Sequence, residues 1–173
     1  MLLGDSFGRK HAPFIVVKTA ESKKPNVAAE NKASRQGFGM KLLQKASDTR
    51  IFGNSTAWWN SELSVQFLEY NFGDRPDRAA PVLLLWDDFS AHWTEKVLHC
   101  AARINVVLMK VPTRYTSACQ PADIAWNCPL KERLRQRWSE QLHAQLDSHC
   151  AAGGRFKLQP PSRSNVVKWV SES

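Results

Sequence analysis

The chain has 173 residues, 43% of them hydrophobic, which suffices for one domain with its own core and is too short for two full ones. Lysine and arginine outnumber aspartate and glutamate by 24 to 16, and the resulting charge of +8 and pI near 9.6 suit a polyanionic partner such as nucleic acid. No window approaches the about 18 uninterrupted apolar residues of a membrane span, and Met1-Leu2-Leu3 meets Gly4-Asp5 before a signal-peptide core can form. The chain therefore reads as soluble and intracellular, with no membrane partner.

Met1 to Gly4 reads as an apolar strand ending at the turn Asp5-Ser6-Phe7-Gly8, and Phe14 to Lys18 as a second strand that makes a hairpin with it. Thr19 to Arg50 is polar, with one apolar cluster around Phe38 to Leu43, and reads as a surface excursion. Trp58-Trp59 leads through Asn60 into a first main helix, with Leu63, Val65, Phe67, Leu68 and Tyr70 near helical spacing. After a charged loop, Pro81 to Trp86 is a continuous apolar run, typical of a strand covered on both faces. Thr94 caps a helix through Val97, Leu98 and Ala101, and Ile104 to Val111 is another strand, ended by Pro112. Strand, helix, strand favours a parallel pair whose carboxyl ends lie side by side. From Ala122 to Leu146 the leucines and Trp138 recur at spacings of four, with basic residues between them. Ala151 to Gly154 is a linker, and Ser162 starts a short helix with Val166, Val167, Trp169 and Val170 on an apolar face that the chain ends too soon to bury. The expected division is a domain over residues 1–146 and a linker with the start of a helix over residues 147–173. Cys100, Cys119, Cys128 and Cys150 form no CxxC pair and have no histidine at zinc-finger spacing, so they read as reduced thiols.

Two segments hold the candidate chemistry. In Leu83-Leu84-Leu85-Trp86-Asp87-Asp88-Phe89-Ser90-Ala91-His92, a strand delivers two carboxylates and a histidine to its end, where a carboxylate can hold a cation without full burial. Both aspartates serve equally well as turn-capping residues. In the second segment, Pro112 to Asp123, Asp123 stands at a helix start, a place where aspartate is also ordinary. The spacer between Asp87 and Asp123 accommodates one helix, one strand and a loop before the chain returns to the same end of the sheet.

These segments resemble the DDE superfamily endonucleases of the pogo, Tigger and jerky-like transposases. There an apolar strand ends in Asp-Asn-Ala-Pro-Ser-His, matched by Asp87-Asp88-Phe89-Ser90-Ala91-His92. A proline after the next strand, Thr-Ser, Gln-Pro and an aspartate before a lysine-bearing helix are matched by Pro112, Thr116-Ser117, Gln120-Pro121, Asp123 and Lys131. The resemblance implies an α/β fold of the ribonuclease-H-like kind, a mixed sheet flanked by helices, and a nuclear protein acting on DNA. Asp87 and Asp123 would be the second and third carboxylates of a catalytic centre that holds Mg²⁺ or Mn²⁺, hard cations that select oxygen ligands. Phosphodiester attack builds charge on the incoming and leaving oxygens, and two cations about 3.5–4 Å apart stabilise both. Asp88, in place of the family's common asparagine, would support those ligands from behind, and His92 would orient a phosphate or a metal ligand, against the plainer reading of a capping or packing residue.

The departures weigh as much. The family's first carboxylate lies on a strand before the one expected at Met1, so the resemblance implies a remnant lacking its first strand, inactive or nearly so. Asp5 reads as a turn residue rather than a replacement. The helix-turn-helix modules usual upstream are also absent from the sequence. Lys131, Arg133, Arg135 and Arg137 are candidates for DNA phosphate contact, against the plainer reading of a solvated helix face. Trp58, Trp59, Trp126 and Trp138 read as core. Two rivals stand beside the endonuclease: a non-enzymatic, transposon-derived DNA-binding protein, and a protein-interaction module forming a homo-oligomer.

Overall fold

In a computed structural model of the chain, residues 1–34 and 50–173 are described. They divide into two compact units, Met1–Ala57 with Asn127–Ser173, and Trp58–Trp126. The predicted apolar cluster around Phe38 to Leu43 lies outside the described residues. Among the described residues no helix is long and apolar enough to cross a membrane.

In the first unit, Asp5 organises the expected turn, its Oδ1 accepting the backbone N–H groups of Phe7 and Arg9 at 2.9 Å each, with Gly8 at φ 81°. The hairpin it starts differs in register from the expectation. Gly4 bridges Lys10, and the N–H groups of His11 and Phe14 donate to Leu3 and Met1. A turn this tight pairs the residues flanking it, which leaves Ile15–Lys18 beyond Met1. That segment, β1, instead runs parallel to β2, Ile51–Asn54, with Ile15 opposite Ile51 and Lys18 opposite Asn54. Between them the polar excursion contains a helix, α1, Pro25–Ser34, with proline in the first helical position where a missing N–H costs nothing. Phe14 stacks on Phe52 at 3.7 Å, and Ile51 and Val167 are buried together against Ile15 and Val17.

The basic helix observed over Asn127–Ala152 continues the segment expected from Ala122. Gly153 and Gly154 end it at φ 72° and 98°, a left-handed stop that glycine adopts without strain. The last helix, Arg163–Ser171, is capped by Ser162 Oγ, which accepts from Asn165 N–H at 3.1 Å. Its apolar face is covered in part: Val167 is 4% exposed in the core with Ile51, whereas Val166 is 40% exposed.

The second unit is built on α2, Ser61–Phe72, β3, Val82–Trp86, α3, Glu95–Arg103, and β4, Val106–Lys110. Asn60 Oδ1 caps α2 by accepting from Leu63 N–H at 3.0 Å. Leu63, Ser64, Phe67 and Leu68 form its buried face at helical spacing, and α2 packs on α3 through Val97, Cys100 and Ala101. The strands are parallel, Val82 opposite Val106 and Trp86 opposite Lys110, so both carboxyl ends open at one edge. Arg75 donates to the Ile104 and Asn105 carbonyls, and Asn105, at φ 55°, donates to those of Arg78 and Ala79, tying the polar loop down.

The expectation of a strand covered on both faces is corrected. Leu84 and Trp86 are buried, whereas Leu83 and Leu85, with Val107 and Met109 beside them in register, are about half exposed. Helices α2 and α3 supply only one layer, and the alternation of strand side chains puts every second residue on the other side. Thr94 stands before α3, but its hydroxyl makes no capping bond.

Candidate functional site

Chain reversal at the end of β3 leaves Asp87 and Asp88 pointing into different environments. Asp87 is one-third exposed; its Oδ1 accepts from Phe89 N–H at 3.1 Å and faces His92 Nε2 at 3.3 Å. The hydrogen bond from His92 holds its carboxyl below the ordinary range, with smaller contributions from the Phe89 N–H and the Gln120 side chain. Asp88 is taken up by Lys110 at 2.6 Å and by the Thr113 hydroxyl, and the Lys110 hydrogen bond leads in lowering its pKa. Lys110 Nζ also lies 4.7 Å from the centre of the Trp93 ring, whose Nε1 donates to the Asp87 carbonyl at 2.8 Å.

His92 is 1% exposed, stacked on Trp86 at 3.9 Å and edge-on to Trp59 and Phe89. Its Nδ1 lies 3.0 Å from Ser64 Oγ, which also accepts from Trp59 Nε1 at 2.9 Å. His92 is thus a fixed strut between the core and Asp87. Of the tryptophans read as core, Trp59 reaches this network, while Trp58 is 79% exposed.

The second motif follows β4 as α4, Thr116–Cys119, and a π-helical turn, Ala122–Trp126, which continues into α5, Asn127–Ala152. Pro129 explains the wide turn: it has no N–H for the Ala125 carbonyl, and its ring crowds that oxygen. Arg114 adopts φ 71° in the turn between β4 and α4. Gln120 meets Asp87 by its side chain, and its carbonyl accepts from the N–H of Asp123 at 3.0 Å. The exposed Asp123 is therefore tied through Gln120 to the loop at the end of β3.

The donor types suit a hard cation, but the set is incomplete. Among the described residues no three His, Cys, Asp or Glu side chains come close enough to hold a metal ion, and Asp88 is already neutralised by Lys110. The Gln120 amide N–H is spent on Asp87 and its buried Oε1 lacks a hydrogen-bond partner, so the carboxylate oxygens left for a hard cation are those of Asp87 and Asp123, enough for one cation and not for a pair. Sequence reasoning missed Ser64, Lys110 and Thr113. The signal for Ser64 was a small polar residue on the apolar stripe of α2; for Lys110 it was a charge ending an apolar strand.

The four basic residues of α5 do not share a face. Positions two apart lie about 200° round a helix and positions four apart about 40°. Arg133 accordingly donates to the Ser173 carbonyl, and Arg137 pairs with Glu172 at 3.6 Å and Glu140 at 3.8 Å. Lys131 and Arg135 are exposed on the opposite side.

No curated protein and no solved structure matches the chain. Its sequence does match the DDE superfamily endonuclease family over residues 7–172, nearly the whole length. Members of this superfamily generally use divalent metals. With an α/β arrangement that brings an aspartate to the end of a parallel strand, the chain belongs to the DDE superfamily endonucleases.

Proposed function

We propose that this protein is a DNA-binding domain of the pogo, Tigger and jerky-like transposase kind, ribonuclease-H-like in descent, whose inherited reaction is metal-dependent DNA strand cleavage and transfer in the nucleus. The observation that carries it is the held Asp87: its carboxylate is kept ionised by a buried histidine at a strand end, and the loop bearing Asp123 reaches it through Gln120. A carboxylate so fixed has lost the rotamer freedom that an ordinary turn aspartate keeps.

In this reading Asp87 and Asp123, with Gln120 beside them, would hold Mg²⁺ or Mn²⁺, which supplies charge neutralisation at a phosphodiester. His92 orients Asp87, and Lys110 holds Asp88 out of the ligand set. Lys131 and Arg135 contact phosphates, since Arg133 and Arg137 are engaged within the chain. Among the described residues one carboxylate pair provides a cation site without a third acid beside it, so binding is the main activity and cleavage is weak or absent.

The non-enzymatic DNA-binding rival is favoured by the lack of a gathered acidic trio among the described residues. DNA binding that Mn²⁺ strengthens, and that EDTA and Asp87→Ala both weaken, separates the two. The rival predicts salt-sensitive DNA binding indifferent to EDTA.

A further inference from the structure

Behind Asp87 lies a hydrogen-bonded chain that begins in the core of α2. Trp59 Nε1 has only a proton to give and donates it to Ser64 Oγ at 2.9 Å. The one hydroxyl proton of Ser64 has two acceptors within reach, His92 Nδ1 at 3.0 Å and the Asn60 carbonyl at 3.3 Å. The Asn60 carbonyl already receives the Ser64 backbone N–H at 3.1 Å, whereas the buried His92 Nδ1 faces the hydroxyl. The shorter contact is to Nδ1, and the Asp87 carboxylate beside Nε2 calls for the ring proton on that nitrogen, so a hydroxyl that donates to Nδ1 satisfies both ends of the ring. An Nδ1 that accepts leaves the ring N–H on Nε2, 3.3 Å from Asp87 Oδ1, an atom that can only accept when ionised.

We infer that Ser64 is a positioning residue: it fixes His92 as the Nε2–H tautomer, which turns the Asp87 carboxylate so that its remaining lone pairs face the cation. The role for the cation rests on the proposed function; the tautomer does not. Ser64 is 0% exposed and twenty-eight residues before His92, on a different element, so the link exists only in the folded unit. Trp59 is the residue that orients the hydroxyl, and the stacking of His92 on Trp86 keeps the imidazole plane in line with both partners.

The test uses the full chain with ¹⁵N-labelled histidine, with His92 assigned by its disappearance in His92→Gln. Long-range ¹H–¹⁵N correlation in the metal-free wild type is expected to show an unprotonated Nδ1 and a protonated Nε2. Ser64→Ala, which removes only the hydroxyl from a small buried site, is expected to lose the single tautomer and to weaken Mn²⁺ binding roughly tenfold. In His92→Gln the introduced side-chain amide supplies an N–H to Asp87 without needing Ser64, so adding Ser64→Ala to that variant is expected to change Mn²⁺ affinity no further. A protonated Nδ1 in the wild type overturns the inference without any variant. So does a loss from Ser64→Ala that is equally large in the His92→Gln background, which would mark a packing effect. A fixed Nε2–H tautomer in a chain that takes up no Mn²⁺ supports the relay and sinks the cation reading alone.

Discussion

At the residue scale, the decisive difference is between Asp87 and Asp88, neighbours in sequence with opposite partners. Asp87 is held by a buried histidine and Asp88 by an exposed lysine and a threonine. Sequence alone identified the pair and His92 as candidates, because a carboxylate and a histidine after an apolar strand are visible in one dimension. It could not tell which aspartate is neutralised, since Lys110 and Thr113 reach Asp88 only when β4 lies alongside β3. Both carboxyls sit below the ordinary range in the folded chain, so each adds stability above the unfolded carboxylate pKa of about 3.9. That stability is lost as pH falls through the lower folded values. Asp87→Asn should therefore unfold less steeply with acid than the wild type in a urea-midpoint series between neutral pH and about pH 3. Equal acid slopes would show that His92 does not hold the ionised form.

At the scale of elements, helices were legible where caps and spacing coincide. Asn60 before Leu63, Phe67 and Leu68 gave α2, and Ser162 gave α6, Arg163–Ser171. Strand pairing was less legible. In Ile51–Asn54 only Ile51 and Phe52 favour a strand before Gly53 and Asn54, so β2 is not recognisable in the sequence, and without it β1 reads as part of the hairpin. The run Val82–Trp86 reads identically whether one face or both are covered, because periodicity records polarity and not the number of helical layers. The one-sided burial has a direct consequence. Leu84→Ala should cost about 2–4 kcal/mol in denaturant unfolding, and Leu85→Ala, on the half-exposed face, under about 1 kcal/mol. Similar losses at the two positions would contradict the single-layer account. Removing the α2 cap with Asn60→Ala should cost about 1 kcal/mol.

For the whole molecule, the net charge of +8 predicts sequence-independent DNA binding that weakens steeply with salt. Each phosphate contact removed should lower the slope of log affinity against log salt by about 1, so replacing Lys131 and Arg135 with glutamine should flatten it by about 2. The same change at Arg133 and Arg137, which are engaged with Ser173 and Glu172, should alter the slope less and the stability more. Family membership was legible from two ordered motifs. Whether their acidic residues assemble was not, because assembly depends on the loop geometry that Gln120 and the wide turn before Pro129 impose.

Mn²⁺ titration calorimetry on the folded chain, with Asp87→Ala and Asp123→Ala alongside, tests the central claim most directly. One cation bound, and lost in both variants, is the result the account predicts. No binding by the wild type, or binding that survives removal of either carboxylate, would contradict it.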